Sequence, residues 1–208
     1  MMTDLQTILD AGKVIPVLAY TSIDEALKTS RTLYDAGIRV FEITLRHPTA
    51  LAAITAVISD LPDDAHVGVG TIMNPKLLDA SMATGARFGV SPGLTPALRD
   101  ALSHHDWPFL PGVATLSEAM TAHDMGFKVL KFFPASIIGG PDFLKAAGAV
   151  LPDVQFCPTG GVNPGNARNY LALKNIPVIG GSWIVVRGKD GRVDQEKTRE
   201  QALLLKDL

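Results

Sequence analysis

The stretch Lys128-Val129-Leu130-Lys131-Phe132-Phe133-Pro134 reads as a buried strand with a charge at its centre. Side chains alternate along a strand, so Val129, Lys131 and Phe133 share one face. An ammonium on an apolar face costs several kcal/mol unless it is paired or neutral. A neutral lysine is a nucleophile. Holding an exposed lysine neutral at pH 7 costs about 4.6 kcal/mol. Burial lowers a lysine pKa by up to roughly 3–5 units, enough to cover most of that cost. The segment also fits a lysine that snorkels to solvent at a strand end. Taken alone, it leaves both readings open.

On either side of this segment, short apolar runs alternate with helical patterns. Val14–Leu18 reads as the first strand. A helix follows from about Ile23 to Ala36, with Ser22 and Glu25 as a capping box and Gly37 closing it. Arg39–Ile43 is the second strand, and Pro48 opens a helix that runs to about Asp60. Val67–Thr71 comes next, before Asn74-Pro75, an N-cap with proline at the first helical position. Arg87–Ser91 precedes the same start signal at Thr95-Pro96. Phe109–Pro111 precedes a second capping box, Thr115 with Glu118. Val129–Phe133 is the sixth strand, followed by a helix over Pro141–Val150. Val154–Thr159 leads to a helix over Pro164–Lys174. Pro177–Gly181 is the eighth strand, before a helical tail from Asp194 to Leu205.

Eight strands, each followed by a helix or room for one, predict an α/β fold of the closed (β/α)8 TIM-barrel type, spanning residues 1–208 as one domain. Thr3–Gly12 is expected as an extra N-terminal helix under the barrel. The competing architecture is an open doubly wound sheet. No Gly-x-Gly-x-x-Gly follows the first strand, and Gly68-Val69-Gly70 lacks the third glycine.

Composition removes several function classes. A formal charge of −2 gives no basic footprint for nucleic acid or an anionic membrane. No apolar run approaches the roughly 18 residues that span a bilayer. Met1–Asp10 lacks the cationic and apolar segments of a secretory signal. The single cysteine, Cys157, rules out an internal disulfide, reads as a small buried residue, and fits a cytoplasmic protein. His104 and His105 point about 100° apart on a helix, and His47, His66 and His123 lack partners at ligand spacing, so no metal site is expected. Trp183 reads as packing and Asp190-Gly191 as a surface turn.

In a barrel the active site lies at the carboxyl ends of the strands, where this chain concentrates its strand polar residues. Glu42 sits inside an apolar strand. It reads either as the ion-pair partner of a cation or as a general acid/base moving protons for Lys131. Arg46, on the following loop, is either a solvated arginine or a fork for a carboxylate. Thr71 and Thr159 offer hydroxyls to a small oxyacid, or are simply β-branched strand residues. Gly160-Gly161 and Gly180-Gly181-Ser182 follow the last two strands. Loops there commonly bind phosphate, because glycine lets backbone N–H groups approach an anion, although glycines also make plain tight turns.

With these residues in place, the chain resembles the 2-keto-3-deoxy-6-phosphogluconate aldolase family, also described as 4-hydroxy-2-oxoglutarate aldolase. The anchors are Glu42-Ile43-Thr44-Leu45-Arg46, Gly70-Thr71, Ser91-Pro92-Gly93, Lys131-Phe132-Phe133-Pro134-Ala135, Cys157-Pro158-Thr159-Gly160-Gly161 and Gly180-Gly181-Ser182-Trp183. The resemblance implies that Lys131 forms a Schiff base with the 2-keto carbon and that Glu42 shuttles protons. It implies that Arg46, Thr71 and Thr159 hold the carboxylate of the pyruvate portion, and that Gly160, Gly161 and Ser182 hold the phosphate. Phe133 would wall the pocket, and Pro92 and Gly181 complete the substrate-binding set. It further implies a homotrimer without metal or cofactor, acting on a phosphorylated keto acid in the Entner-Doudoroff route.

Many members carry a glutamate where this chain has Ser136. The phosphogalactonate-type relatives usually carry an arginine at the end of the first strand and a valine before Gly-Gly, where this chain has Val17-Leu18-Ala19-Tyr20 and Thr159. The expectation is therefore a gluconate-type aldolase. The alternatives are the galactonate type, an isomerase or epimerase without a covalent intermediate, and a non-catalytic phosphometabolite-binding barrel.

Overall fold

The computed structural model describes residues 5–208. Its strands are β1 (Val14–Leu18), β2 (Val40–Thr44), β3 (His66–Gly70), β4 (Phe88–Val90), β5 (Phe109–Leu110), β6 (Gly112–Val113), β7 (Val129–Phe132), β8 (Gln155–Pro158) and β9 (Ile179–Gly181). Its helices are α1 (Leu5–Leu9), α2 (Ile23–Asp35), α3 (Ala50–Asp60), α4 (Pro75–Met82), α5 (Pro96–Leu102), α6 (Leu116–Asp124), α7 (Gly140–Val150), α8 (Ala167–Leu171) and α9 (Gln195–Leu204). The expected cap over Thr3–Gly12 is α1, with Thr3 and Asp4 outside the described residues.

Local chemistry sets most helix starts. Asn74 and Thr95 accept hydrogen bonds from the N–H groups of Leu77 and Leu98, ahead of Pro75 and Pro96. Thr115 and Glu118 form a reciprocal capping box at α6. The predicted box at α2 is only half made. Ser22 accepts from Glu25 N–H, but the Glu25 carboxylate takes Thr21 and the Arg187 guanidinium instead of the Ser22 backbone. The helix expected from Pro48 begins at Ala50. There His47 Nδ1 engages the Thr49 hydroxyl at 2.8 Å, so Thr49 caps without a side-chain bond. The helix expected over Pro164–Lys174 shrinks to α8, because Asn163 and Asn166 side chains hold the preceding backbone in a turn of their own.

Parallel pairing gives a six-stranded sheet in the order β5-β4-β3-β2-β1-β9 and a three-stranded sheet β6-β7-β8. Pro111 separates β5 from β6, because proline offers no N–H to the ladder. The expected fifth strand, Phe109–Pro111, is β5 ending at Leu110, and β6 is a further short strand beyond it. Lys131 N–H donates to Pro111 O at 2.9 Å, and Thr159 bridges Gly180 in parallel. The result is an α/β fold on a curled parallel sheet.

The core has two parts. An outer layer packs strands against helices and includes Phe41, Val69, Leu130, Phe132 and Phe156. An inner cluster gathers Ile15, Val40, Phe88, Val90, Leu110, Val129, Cys157 and Val178 from around the sheet, with Ile8 and Leu9 of α1 closing one end. At about 25 cal/mol per Å², each fully buried aliphatic side chain contributes roughly 1.5–3 kcal/mol. Glycines make room inside. A Cβ on Gly68 would lie 2.3 Å from the Phe88 ring, so large and small residues alternate between neighbouring strands.

Candidate active site

Lys131 and Glu42 meet inside the curled sheet. Lys131 is 5% exposed on β7 and Glu42 is 3% exposed on β2, and Lys131 Nζ donates to Glu42 Oε1 at 2.9 Å. The contact makes Glu42 the ion-pair partner of Lys131, the first of its two sequence readings. Removing one partner from such a pair typically costs roughly 3–5 kcal/mol. The Phe133 ring centre lies 5.5 Å from Nζ, within reach of a cation–π contact.

The neighbouring strands shape this pair. Register places Glu42 opposite Val17 of β1 and Gly68 of β3, and Lys131 opposite Gly112 of β6 and Cys157 of β8. Gly70 is as important as the charges. A Cβ there would sit 2.3 Å from Glu42 Oε1 and 2.7 Å from its Cγ, so the carboxylate occupies the space that a side chain would fill. Gly112 does the same for the loop after β4, since its Cβ would lie 2.3 Å from the Pro92 carbonyl carbon. The buried Ser91 hydroxyl accepts from Gly112 N–H at 3.2 Å. Thr44, buried two residues beyond Glu42, ties β2 to β1 by donating to Leu18 O at 2.8 Å. None of these four supporting roles was visible in the sequence, because each joins positions far apart in the chain. The glycines within the strands were the one available signal.

Thr71 follows β3 with φ of 68°, the one non-glycine residue at positive φ among the described residues. A β-branched residue resists that conformation, and such strain clusters at functional sites. Thr159, 5% exposed, follows β8 and bridges Gly180, whose missing Cβ would sit 2.3 Å from the Thr159 hydroxyl. Gly160 and Gly161 have φ of 94° and 76°, a left-handed turn open to glycine. A Cβ on Gly160 would approach the Phe133 ring to 3.1 Å, which places this turn beside the lysine's neighbour. Gly181 lies against the Trp183 ring, where a Cβ would come to 1.9 Å, so Trp183 packs as expected. Ser182 and Arg46 are exposed at the ends of β9 and β2, and no hydrogen bond or ion pair engages the Arg46 guanidinium among the described residues.

Cys157 is inert. Burial pushes its thiol up to about 12, against the opposing pull of the Lys131 charge. Among the described residues, no cluster of three or more His, Cys, Asp or Glu side chains could hold a metal ion, and no helix is long and apolar enough to cross a membrane.

The arrangement matches known proteins over nearly its whole length. The family model for KDPG and KHG aldolase matches residues 5–198. The chain is similar to a KHG/KDPG aldolase of Escherichia coli, 43% identical over 88% of this chain and 85% of that one. It is also similar to a 2-dehydro-3-deoxy-phosphogluconate aldolase of Zymomonas mobilis, 41% identical over 90% and 89%. A crystal structure of KDPG aldolase from Legionella pneumophila, with pyruvate captured as a covalent carbinolamine, superimposes with a TM-score of 0.93 at 39% identity, covering 99% of each chain. With a lysine and a carboxylate paired in a buried pocket, and with relatives matched across the molecule, the chain belongs to the KDPG and KHG aldolase family.

Proposed function

We infer that this protein is a lyase of the class I aldolase type. It cleaves 2-keto-3-deoxy-6-phosphogluconate reversibly to pyruvate and glyceraldehyde 3-phosphate through a Schiff base on Lys131, and it also accepts 4-hydroxy-2-oxoglutarate. The carrying observation is the 2.9 Å contact between Lys131 Nζ and Glu42 Oε1 at a site almost closed to water. Proton transfer along that bond turns the ion pair into a free amine and a carboxylic acid.

The free amine adds to the C2 ketone, giving a carbinolamine. Glu42 returns its proton to the departing hydroxyl, water leaves, and the iminium remains. The Glu42 carboxylate then takes the C4 hydroxyl proton. The C3–C4 bond breaks, its electron pair moves into the iminium, and the aldehyde departs. The pyruvate enamine left behind takes a proton from Glu42 at C3. Hydrolysis of the resulting iminium frees pyruvate and restores the lysine.

In this reading Arg46, Thr71 and Thr159 hold the substrate carboxylate, and Gly160, Gly161, Gly181 and Ser182 hold the phosphate. Phe133 and Pro92 wall the pocket. The exposed, unpaired guanidinium of Arg46 and the strained backbone of Thr71 support their parts. We further propose that the curled sheet closes as a single-domain (β/α)8 barrel. Its support is the Thr159–Gly180 bridge together with the inner cluster drawn from both sheets. The proposed assembly is a homotrimer working in the cytoplasm.

The test is pyruvate release from the phosphogluconate- and phosphogalactonate-derived keto acids, assayed side by side. The wild type is expected to prefer the gluconate form and Lys131→Ala to lose nearly all cleavage of both. Full pyruvate release by Lys131→Ala would remove the covalent mechanism, whereas a wild type that releases no pyruvate from either keto acid would leave an acid–base isomerase or epimerase.

A further inference from the structure

A cavity of about 300 Å³ opens at the amino-terminal ends of β1 and β2, at the lower edge of the range for small-molecule sites. Val14 and Val40, the first residues of those strands, line it together with Ala36, Ile38, Ala202 and Leu205. Val14, Ala36, Val40 and Ala202 are buried, while Ile38 and Leu205 stay half-buried. The loop before β1, the end of α2 and the end of α9 thus meet around an apolar hollow.

Three cations border this hollow, Lys13, Arg39 and Lys206, and no acidic side chain among the described residues lines it. Arg39 is already matched. Its Nε pairs with Asp64 at 2.9 Å, and the same guanidinium donates to Tyr34 O and Ile38 O at 2.9 Å each. Lys206 reaches the hollow by crossing Gly37. A Cβ there would lie 3.4 Å from Lys206 Cε and 3.8 Å from its Nζ. The negative end of a helix attracts a cation, which would by itself account for Lys206 at the end of α2. The last carbonyls of α2 are taken, however. Thr32 O, Leu33 O and Tyr34 O accept from the N–H groups of Ala36, Ile38 and Gly37. Lys13 and Lys206 are exposed, and neither ammonium has a hydrogen bond or ion pair among the described residues.

We propose that this cavity binds a monocarboxylate carrying an apolar chain of several carbons. The chain lies against Val14, Ile38 and Leu205, and the carboxylate pairs with the ammonium groups of Lys13 and Lys206. Two unmatched cations beside apolar walls call for a ligand with both characters. An inorganic anion leaves the walls wet, and a neutral hydrocarbon leaves the charges unmatched. The proposal is independent of the reaction at Lys131, since neither Lys131 nor Glu42 lines this cavity.

The experiment is calorimetric titration of the full chain at low salt with hexanoate, with 1-hexanol as its neutral counterpart, and with inorganic phosphate. One exposed ion pair is worth up to about a fivefold change in affinity, and salt screens it. Hexanoate is expected to bind one per chain, roughly fivefold or more tighter than 1-hexanol, and to weaken as salt is raised. Phosphate is expected to give no saturable heat. Lys13→Gln and Lys206→Gln should each weaken hexanoate by about threefold to fivefold and leave 1-hexanol unchanged. Leu205→Gln should weaken both. Absence of hexanoate binding, equal affinity for hexanoate and 1-hexanol, phosphate binding as tight as hexanoate, or unchanged hexanoate affinity in both lysine variants would overturn the proposal.

Discussion

Lys131 and Glu42 depend on each other more than on anything else in the pocket. Both are nearly sealed from water, so either one alone would be an uncompensated buried charge. Glu42→Gln keeps the shape but loses the proton carrier. Its turnover is expected to fall by about 10²–10⁴-fold, while pyruvate still adds to Lys131 on a longer timescale. Steady-state rates compared with trapping yield check this. Gly70 gives a second prediction at the same scale. Gly70→Ala would place a methyl 2.3 Å from Glu42 Oε1, so the carboxylate must swing away. Overpacking of this kind costs about 1–3 kcal/mol. Chemical denaturation should show that loss, together with a fall in kcat larger than the change in KM. Wild-type kcat in a folded Gly70→Ala protein would mean that Glu42 is not held where the chemistry needs it.

Among the elements, the loop after β9 is fastened to α2 by the Arg187 fork. Arg187 donates to both Glu25 carboxylate oxygens, at 2.6 and 3.1 Å, to Ala19 O at 2.9 Å and to Gly191 O at 2.8 Å. Burial raises the Glu25 pKa, but the Arg187 charge and hydrogen bonds outweigh it and leave the carboxyl below its ordinary 4.5. The ionised form is thus favoured by folding. This contribution is fully present above the ordinary carboxylate pKa and is lost as pH falls through the lowered folded value. Arg187→Ala should therefore lose stability at neutral pH and show a shallower decline on acidification, read from thermal melts between neutral and acid pH. An unchanged acid limb would show that the clasp carries no ionic stabilisation. The α6 capping box gives a simpler outcome. Thr115→Ala should cost about 1 kcal/mol without altering kcat.

These elements also show what could be read in advance. Caps at Asn74, Thr95 and Thr115 stood in the sequence because each is a local contract over three residues. The half-made box at Ser22 could not be read, because Glu25 is drawn off by Arg187, far along the chain. The strand end near Pro111 was legible in its missing N–H, whereas the two-residue strand beyond it carried no signal. The buried pair was legible because two charges in apolar strands demand a partner. Gly70, Ser91 and Thr44 were not, because their partners come only from strand register.

For the whole molecule, the alternation of strand and helix predicted a parallel sheet, and Glu42 and the Phe133 ring lie beside Lys131 within it. The inner cluster joins Ile8 and Leu9 of α1 to residues of both sheets. Sedimentation should report the proposed homotrimer as a species of roughly three times the 22.1 kDa chain; a monomer at micromolar concentration would contradict it. The central claim is chemical and has a direct readout. Borohydride reduction of the protein in the presence of pyruvate, followed by peptide mass mapping, should place one reduced pyruvate adduct on Lys131 and none on Lys131→Ala. An unmodified Lys131 in a preparation that is releasing pyruvate, or an adduct on another lysine, would contradict the account.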